Sequence, residues 1–136
     1  MRPFVFGLVA LPLGCGHQAT HHESPPRPAV PLIEWFVVSH NELAVQMEVS
    51  PPGRQPWKDS FPWSTVQRVC FKCEEPEVSD GLYVFTSPRP ESYVIPTEAR
   101  GGRELWFEIL RRGLFDSELA IRAAASSEGL FCWPSQ

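Results

Sequence analysis

Apolar and polar residues alternate in short stretches of the chain after Pro31. The clearest alternation covers residues 43–49. Its apolar members are Leu43, Val45, Met47 and Val49. A period of two is typical of a strand that has one face on a core and the other in water. Residues 32–38 are rich in β-branched and aromatic side chains, and the polar link 39–42 predicts a hairpin turn between two strands.

Further short stretches of the same kind follow, separated by Pro, Gly, Asp and Ser. They are residues 66–73, 82–86, 92–95, 105–109, 119–123 and 130–133. Seven or eight strands in about 100 residues predict a mainly β protein. We expect a single small antiparallel β-sandwich of immunoglobulin-like architecture, or alternatively a small β-barrel. Residues 118–127 also fit a short helix, because alanine is a good helix former.

Composition and charge are consistent with one such domain. The chain has 136 residues and is 43% hydrophobic, which is enough for a single core built from residues 32–136. Its net charge of −4 is spread thinly, without a run of like charges. A nucleic-acid partner requires a basic stripe that neutralises phosphates. No such stripe is visible, so we expect no nucleic-acid binding.

The N-terminal residues read MRPFVFGLVALPLGC. Arg2 supplies a positive charge, and the apolar run 4–13 is too short to span a bilayer but fits the hydrophobic region of a signal peptide. The run ends at Leu13-Gly14-Cys15, and a polar, proline-rich segment follows. This arrangement resembles the lipobox of bacterial lipoproteins. The resemblance covers the signal region alone.

The lipoprotein resemblance implies a processing and targeting scheme. Residues 1–14 would be a signal peptide, and Cys15 would become the lipidated first residue of the mature protein. Several acyl chains on one residue anchor a protein far better than a single chain. Gly16 is the type of residue that permits sorting to the outer membrane in this class. We therefore expect a protein of the bacterial cell envelope, held by its lipid anchor and facing the periplasm.

Residues 15–31 are predicted to form a flexible tether. Proline and histidine are frequent there, and apolar side chains are almost absent. Such a segment cannot bury enough surface to offset its ordering entropy. His17, His21 and His22 also suggest a metal site, because neutral imidazole binds zinc, copper and nickel. No cysteine or carboxylate lies at a diagnostic ligand spacing, so we favour the tether and predict no metal.

If Cys15 carries lipid, Cys70, Cys73 and Cys132 remain for other chemistry. Cys70 and Cys73 form a CxxC pair in a strand-like run, where residues three apart point to opposite faces and lie too far apart for a disulfide. Cys73 shares the more apolar face of that run, so we predict a structural Cys73–Cys132 disulfide and a free Cys70. The alternatives are a thiol-redox site and a zinc site built from the three thiolates and one histidine.

An aromatic segment covers residues 51–64, where Trp57, Phe61 and Trp63 stand among prolines. Amphipathic rings on a stiff loop are common in binding surfaces, because few rotamers are lost on contact. This pattern makes the three residues candidates for binding a peptide or a sugar. The alternative interpretation is that the rings fold back onto the core.

Catalytic motifs are absent from the sequence. It contains no GxSxG, no HExxH and no glycine-rich phosphate loop, and His40 is the only histidine of the predicted domain. We expect no cofactor and no enzymatic activity. The sequence favours an envelope-anchored binding or structural module that presents a β-sandwich to a protein or glycan partner. The alternative function is a periplasmic thiol-redox or metal-handling protein that uses Cys70, Cys73 and the tether histidines.

Overall fold

The computed structural model describes residues 30–75 and 78–135. The predicted signal peptide, Cys15 and most of the predicted tether lie outside these residues. Seven strands are described: β1 Phe36–His40, β2 Ala44–Val49, β3 Trp57–Pro62, β4 Val66–Cys73, β5 Gly81–Thr86, β6 Tyr93–Pro96 and β7 Gly129–Trp133. Three α-helices accompany them, α1 Leu32–Trp35, α2 Gly102–Arg111 and α3 Ser117–Ala124, and a short 3₁₀ helix covers Trp63–Thr65.

The strands form two antiparallel sheets. One has three strands in the order β1-β2-β3, and the other has four in the order β6-β5-β4-β7. One continuous cluster of buried side chains draws on both sheets and on α2. The mainly β prediction is confirmed, the arrangement is that of a small β-sandwich, and the described strands do not close into a barrel.

Alternation places the core side chains of the three-stranded sheet. Val45, Met47 and Val49 of β2 are buried, and the residues between them are exposed. Their cross-strand neighbours on β1 and β3 share the same face. The opposite face is mostly polar, with Val37, Ala44 and Pro62 as its apolar members. It carries Ser39, Gln46, Glu48, Lys58 and Ser60.

Helix α2 closes the core with aromatic contacts. Trp106 lies 4.8 Å from Phe71 of β4 and 5.1 Å from Phe115, measured between ring centroids. The sequence predicts a strand at 105–109, and this prediction is wrong. Leu105 and Ile109 are four residues apart, and such residues share a face in a strand and in a helix. A pattern of only five residues therefore cannot distinguish a strand from a helix.

Three other element predictions change. Residues 32–35 are predicted as the start of the first strand, but they form α1, and the strand covers Phe36–His40. Residues 119–123 lie in α3 and not in a strand, which agrees with the helical alternative. Asp116 caps this helix, because its carboxylate accepts the backbone N–H of Leu119 at 2.9 Å. Residues 51–64 are not one long loop, since β3 occupies Trp57–Pro62.

None of the described helices is long and apolar enough to cross a membrane.

Candidate functional site

The outer face of the four-stranded sheet, turned away from the core, carries a row of apolar side chains. In β5, Leu82 and Val84 are buried in the core, whereas Tyr83 and Phe85 alternate with them and are half-buried on the other side. Residues paired directly across strands share a face. The register can therefore be followed outward from Tyr83.

Tyr83 pairs with Val94 of β6 and with Cys70 of β4, and Cys70 pairs with Cys132 of β7. A row of uncharged side chains thus crosses all four strands. Leu130, which is two residues before Cys132, lies on the same face. We call Val94, Tyr83, Phe85, Cys70, Cys132 and Leu130 the outer apolar face.

Exposure distinguishes this surface from an ordinary sheet face. Leu130 is 59% exposed and Val94 is 47% exposed. A solvated face of an antiparallel sheet is normally polar, as it is in the three-stranded sheet of this protein. Tyr83 and Cys132 between them are half-buried, and Cys70 at the centre is 4% exposed, so the exposed apolar area lies toward the two edges of the sheet. Large exposed apolar side chains are typical of an interaction site when they lie close together on one surface.

Two basic residues lie on the same side of the sheet as the outer apolar face, one before and one after Cys70 in β4. Arg68 of β4 stands opposite Phe85, and Lys72 of β4 stands opposite Leu130. The Lys72 ammonium lies 3.3 Å from the Glu74 carboxylate. Arg68 donates one guanidinium N–H to the Ser135 carbonyl at 3.1 Å, while its buried Nε has no partner among the described residues. The positive charge of Arg68 therefore has no neutralising carboxylate beside it in this part of the chain.

Gly81 leaves room for the Tyr83 ring beside it on this face. A β-carbon at residue 81 would lie 3.2 Å from the Tyr83 ring, closer than ordinary van der Waals contact. Gly81 is also buried. The ring therefore lies over the backbone of β5. Because its position is already restricted, it should lose little conformational entropy when a partner contacts it.

A disulfide between Cys70 and Cys132 lies within the outer apolar face. The predicted Cys73–Cys132 bridge and the predicted free Cys70 are both wrong. The reason is register: β7 pairs with β4 so that Cys132 stands opposite Cys70, whereas Cys73 stands opposite Gly129. Cys73 points to the core side, where it is buried beside Ala123. The described residues contain no free thiol.

The CxxC motif does not have the geometry of a thiol-exchange site. Both of its cysteines lie within β4, and neither stands at the start of a helix, where a dipole would lower a thiol pKa. Cys70 bonds to Cys132 and not to Cys73, in agreement with the argument that two residues three apart in a strand cannot meet.

The three predicted aromatic binding residues do not form a common surface. Phe61 and Trp63 are buried at 2% and 7% exposure. Phe61 contacts the Tyr93 ring at 4.7 Å between centroids, and the Trp63 indole N–H donates to the Asn41 carbonyl at 2.9 Å. Only Trp57, at 45% exposure, offers its ring to solvent, so a binding role for Trp57 stays a prediction.

Trp63 lines one side of a groove of about 550 Å³. The other lining residues are Glu42, Leu43, Ser64, Arg111, Arg112 and Leu114. The Arg112 guanidinium stacks over the Trp63 ring, 4.2 Å from its centroid, in cation–π geometry. A groove with two arginines suggests an anion site.

The arginines of the groove already have an anionic partner. Glu108 accepts two hydrogen bonds from Arg111 and one, at 2.7 Å, from Arg112. These contacts, led by the hydrogen bonds from Arg111, lower the pKa of Glu108 to about 2 and raise the pKa of Arg111. Arg112 also donates to the Glu42 backbone carbonyl at 3.3 Å. The groups therefore form a clamp between α2 and the β1–β2 turn, and they favour the outer apolar face as the candidate site.

The histidines and carboxylates of the described residues do not assemble a metal site. His40 packs its ring edge-on against Trp63, 6.0 Å between centroids. The tether histidines His17, His21 and His22 lie outside the described residues.

Sequence reasoning missed the outer apolar face, although one signal was present. Residues 82–85 read Leu-Tyr-Val-Phe, an apolar run without the alternation of the neighbouring strand 43–49. Such a run is typical of a strand covered on both faces. No protein-family model matches the chain, and neither a curated protein nor a solved structure matches it.

Proposed function

We propose that this protein is an envelope-anchored, non-enzymatic binding module whose outer apolar face docks onto a partner protein. The observation that carries the proposal is the contrast between the two outer faces. The three-stranded sheet presents polar side chains to water, whereas the four-stranded sheet presents Val94, Tyr83 and Leu130 there. Exposing apolar surface is unfavourable unless a partner removes it from water.

The chemistry of this face favours a protein over a glycan. A sugar carries many hydroxyl groups, and each one that is buried without a hydrogen bond is costly. Val94, Leu130 and the Cys70–Cys132 disulfide offer almost no hydrogen-bonding groups in return. A protein surface with an apolar centre and acidic margins fits better, because its carboxylates would meet Arg68 and Lys72.

The anchor of the proposed module is the lipidated Cys15 that the lipobox resemblance implies. A tether of 16 residues between this anchor and the sandwich domain would reach at most roughly 50 Å in a polyproline-like form. Such a length would let the outer apolar face contact partners at a distance from the headgroups. Anchoring also raises the local concentration of the domain near envelope proteins.

Site-specific photo-crosslinking in intact cells tests this function. A benzophenone side chain replaces Val94 on the outer apolar face, and in a matched variant it replaces Gln46 on the polar face of the other sheet. We expect a discrete protein adduct from position 94 and none from position 46. Lys72→Glu should weaken the adduct at position 94, since it reverses a charge that would attract acidic residues.

Two results would overturn the proposal. The first is the absence of any protein adduct at position 94, and the second is an equal yield from positions 94 and 46. Mass spectrometry of the adduct identifies its polypeptide and shows that it is a different protein from this chain. Attachment of carbohydrate alone would favour a glycan partner and contradict the protein assignment.

A further inference from the structure

The edges of a β-sheet expose unpaired backbone groups that invite pairing with another chain. One edge of the three-stranded sheet is β1, and a neighbouring segment covers it. The backbone N–H of Val38 donates to the backbone carbonyl of Arg100 at 2.8 Å. The backbone N–H of Arg100 donates to the carbonyl of Phe36 at 2.9 Å. This edge is therefore already paired within the chain.

The edges at β3 and β6 carry features that discourage pairing. β3 holds the charged residues Lys58 and Asp59 and ends at Pro62. β6 has only four residues and ends at Pro96. Charges, prolines and short length are the usual means by which proteins protect exposed edges.

β7 is one residue longer than β6 and has no charge or proline within its bounds, and Pro134 follows directly after it. Its sequence is Gly-Leu-Phe-Cys-Trp, without a charge or a proline. It pairs with β4 on one side alone among the described strands. Leu130 is 59% exposed and Trp133 is 40% exposed, so the edge is open to solvent. An uncharged, exposed edge strand is a ready template for another strand.

The disulfide shows which backbone groups of β7 point outward. The Cα atoms of Cys70 and Cys132 are 4.0 Å apart, the close spacing of a non-hydrogen-bonded pair in an antiparallel ladder. The backbone N–H and C=O of Cys132 therefore point away from β4, and so do those of Leu130 two residues earlier. No hydrogen bond satisfies these groups within the described part of the chain.

A second β7 strand fits this edge in antiparallel orientation. With Phe131 of the two copies opposite each other, Leu130 stands opposite Cys132 of the second copy. Each of these pairs can exchange both of its N–H···O bonds, which satisfies all the outward groups of both residues. Trp133 then stands opposite Gly129 of the second copy, which has no side chain and leaves room for the indole. No like charges meet across the pair.

We infer that two copies of this chain associate through β7, joining their four-stranded sheets into one continuous sheet across a twofold axis. The interface is isologous, since the same strand serves on both sides. It also places the two outer apolar faces side by side. The inference stands on the edge geometry of β7 and does not depend on the partner proposed above.

The test is the mass of the full chain in solution. Sedimentation equilibrium of the chain, extracted from membranes into density-matched detergent, should give twice the polypeptide mass that mass spectrometry gives for the same denatured sample. Leu130→Pro removes an outward N–H but no hydrogen bond to β4, so it should give a monomer. Leu130→Lys should also give a monomer, because it brings a charge to the shared surface.

Val94→Lys is the matched control, because it places the same charge on the same face at the opposite edge of the sheet. It should leave the dimer intact. Circular dichroism and mapping of the Cys70–Cys132 bond verify that each variant is folded. A wild-type chain that stays monomeric up to about 100 µM, a concentration that would populate a dimer of micromolar dissociation constant, would overturn the inference. A folded Leu130→Pro variant that remains dimeric would overturn it as well.

Discussion

Cys70 in the middle of β4 and Cys132 in β7 stand directly opposite each other, and their disulfide closes a sequence separation of 62 residues. β7 is the most exposed strand of the four-stranded sheet, and four of its five residues have little contact with the core cluster. The disulfide therefore ties the C-terminal strand to the domain at a place where packing contributes little.

Removing this disulfide should destabilise the domain substantially. The chain-entropy model gives about 4 kcal/mol for a loop of this length, and measured losses of native bridges are typically about 2–5 kcal/mol. We expect Cys70→Ser/Cys132→Ser to lower the free energy of unfolding by this order, as measured by urea denaturation. Hydrogen exchange in residues 129–133 should rise more than in β5.

Replacing both cysteines together avoids a leftover thiol that could rearrange. Thr86→Ser, at a buried residue of the same sheet, is the control for polar and small-volume changes. An unchanged midpoint in the double variant would contradict a structural role for the bridge. Non-reducing peptide mapping gives the connectivity directly.

Glu108 should contribute to stability in a pH-dependent way. Its pKa falls from an ordinary value of 4.5 to about 2, mainly through hydrogen bonds from Arg111. A lowered folded-state pKa stabilises the fold above the unfolded-state pKa, and this contribution is lost as the pH falls through the folded-state value. The stability difference between wild type and Glu108→Gln should therefore be full at pH 7, shrink below about pH 4.5 and be nearly absent at pH 2.

The control for this prediction is Glu104→Gln on the same helix, in its first turn. It removes the same charge without touching Arg111 or Arg112. Thermal melts of the three proteins over this pH range provide the measurement. A stability difference between wild type and Glu108→Gln that grows toward low pH would contradict the predicted pH dependence.

Strand positions were predictable where one face is buried and the other is solvated. Residues 66–73 are predicted as a strand and form β4 with the same bounds. β3 was missed because its core side carries Asp59 between Trp57 and Phe61, and because prolines stand at 56 and 62. A charged residue on the core side of an edge strand breaks the alternation on which the prediction depends. Here Asp59 is paired with Arg89 at 3.6 Å.

The candidate site depended on pairing between distant strands, which alternation does not encode. The cysteine pairing needed the register of β4 with β7, and that register is fixed only in three dimensions. The apolar nature of Tyr83 and Phe85 was readable from the sequence. The alignment of Tyr83 with Val94 was not, because it requires knowledge that β6 lies beside β5.

Gly101, the residue directly before α2, should tolerate substitution poorly. Its φ is 85°, and a β-carbon there would lie 2.0 Å from the Val38 carbonyl oxygen. Gly101→Ala therefore combines backbone strain with a clash against the β1 edge. We expect the free energy of unfolding to fall by more than about 2 kcal/mol. A left-handed alanine alone costs roughly 1 kcal/mol, and the clash adds to it.

Gly113→Ala is the matched control for this prediction. Gly113 has a φ of 72°, but nothing lies within 4 Å of the position of its β-carbon. Gly113→Ala should therefore lower the free energy of unfolding only by the cost of a left-handed alanine. Equal losses in the two variants, measured by urea denaturation, would show that the contact with Val38 has no energetic role.

The proposed localisation in the cell envelope depends on lipidation at Cys15. Leu13-Gly14-Cys15 resembles a lipobox, so Cys15→Ser should abolish incorporation of radiolabelled palmitate and leave an unprocessed precursor of higher mass. Cys73→Ser is the control, and its labelling should match that of the wild type. A thioether to lipid and a disulfide are mutually exclusive at one sulfur, and Cys15 is the remaining cysteine outside the described residues. Peptide mapping that finds Cys15 joined to Cys73 would therefore contradict the lipid anchor, as would equal labelling of Cys15→Ser and wild type.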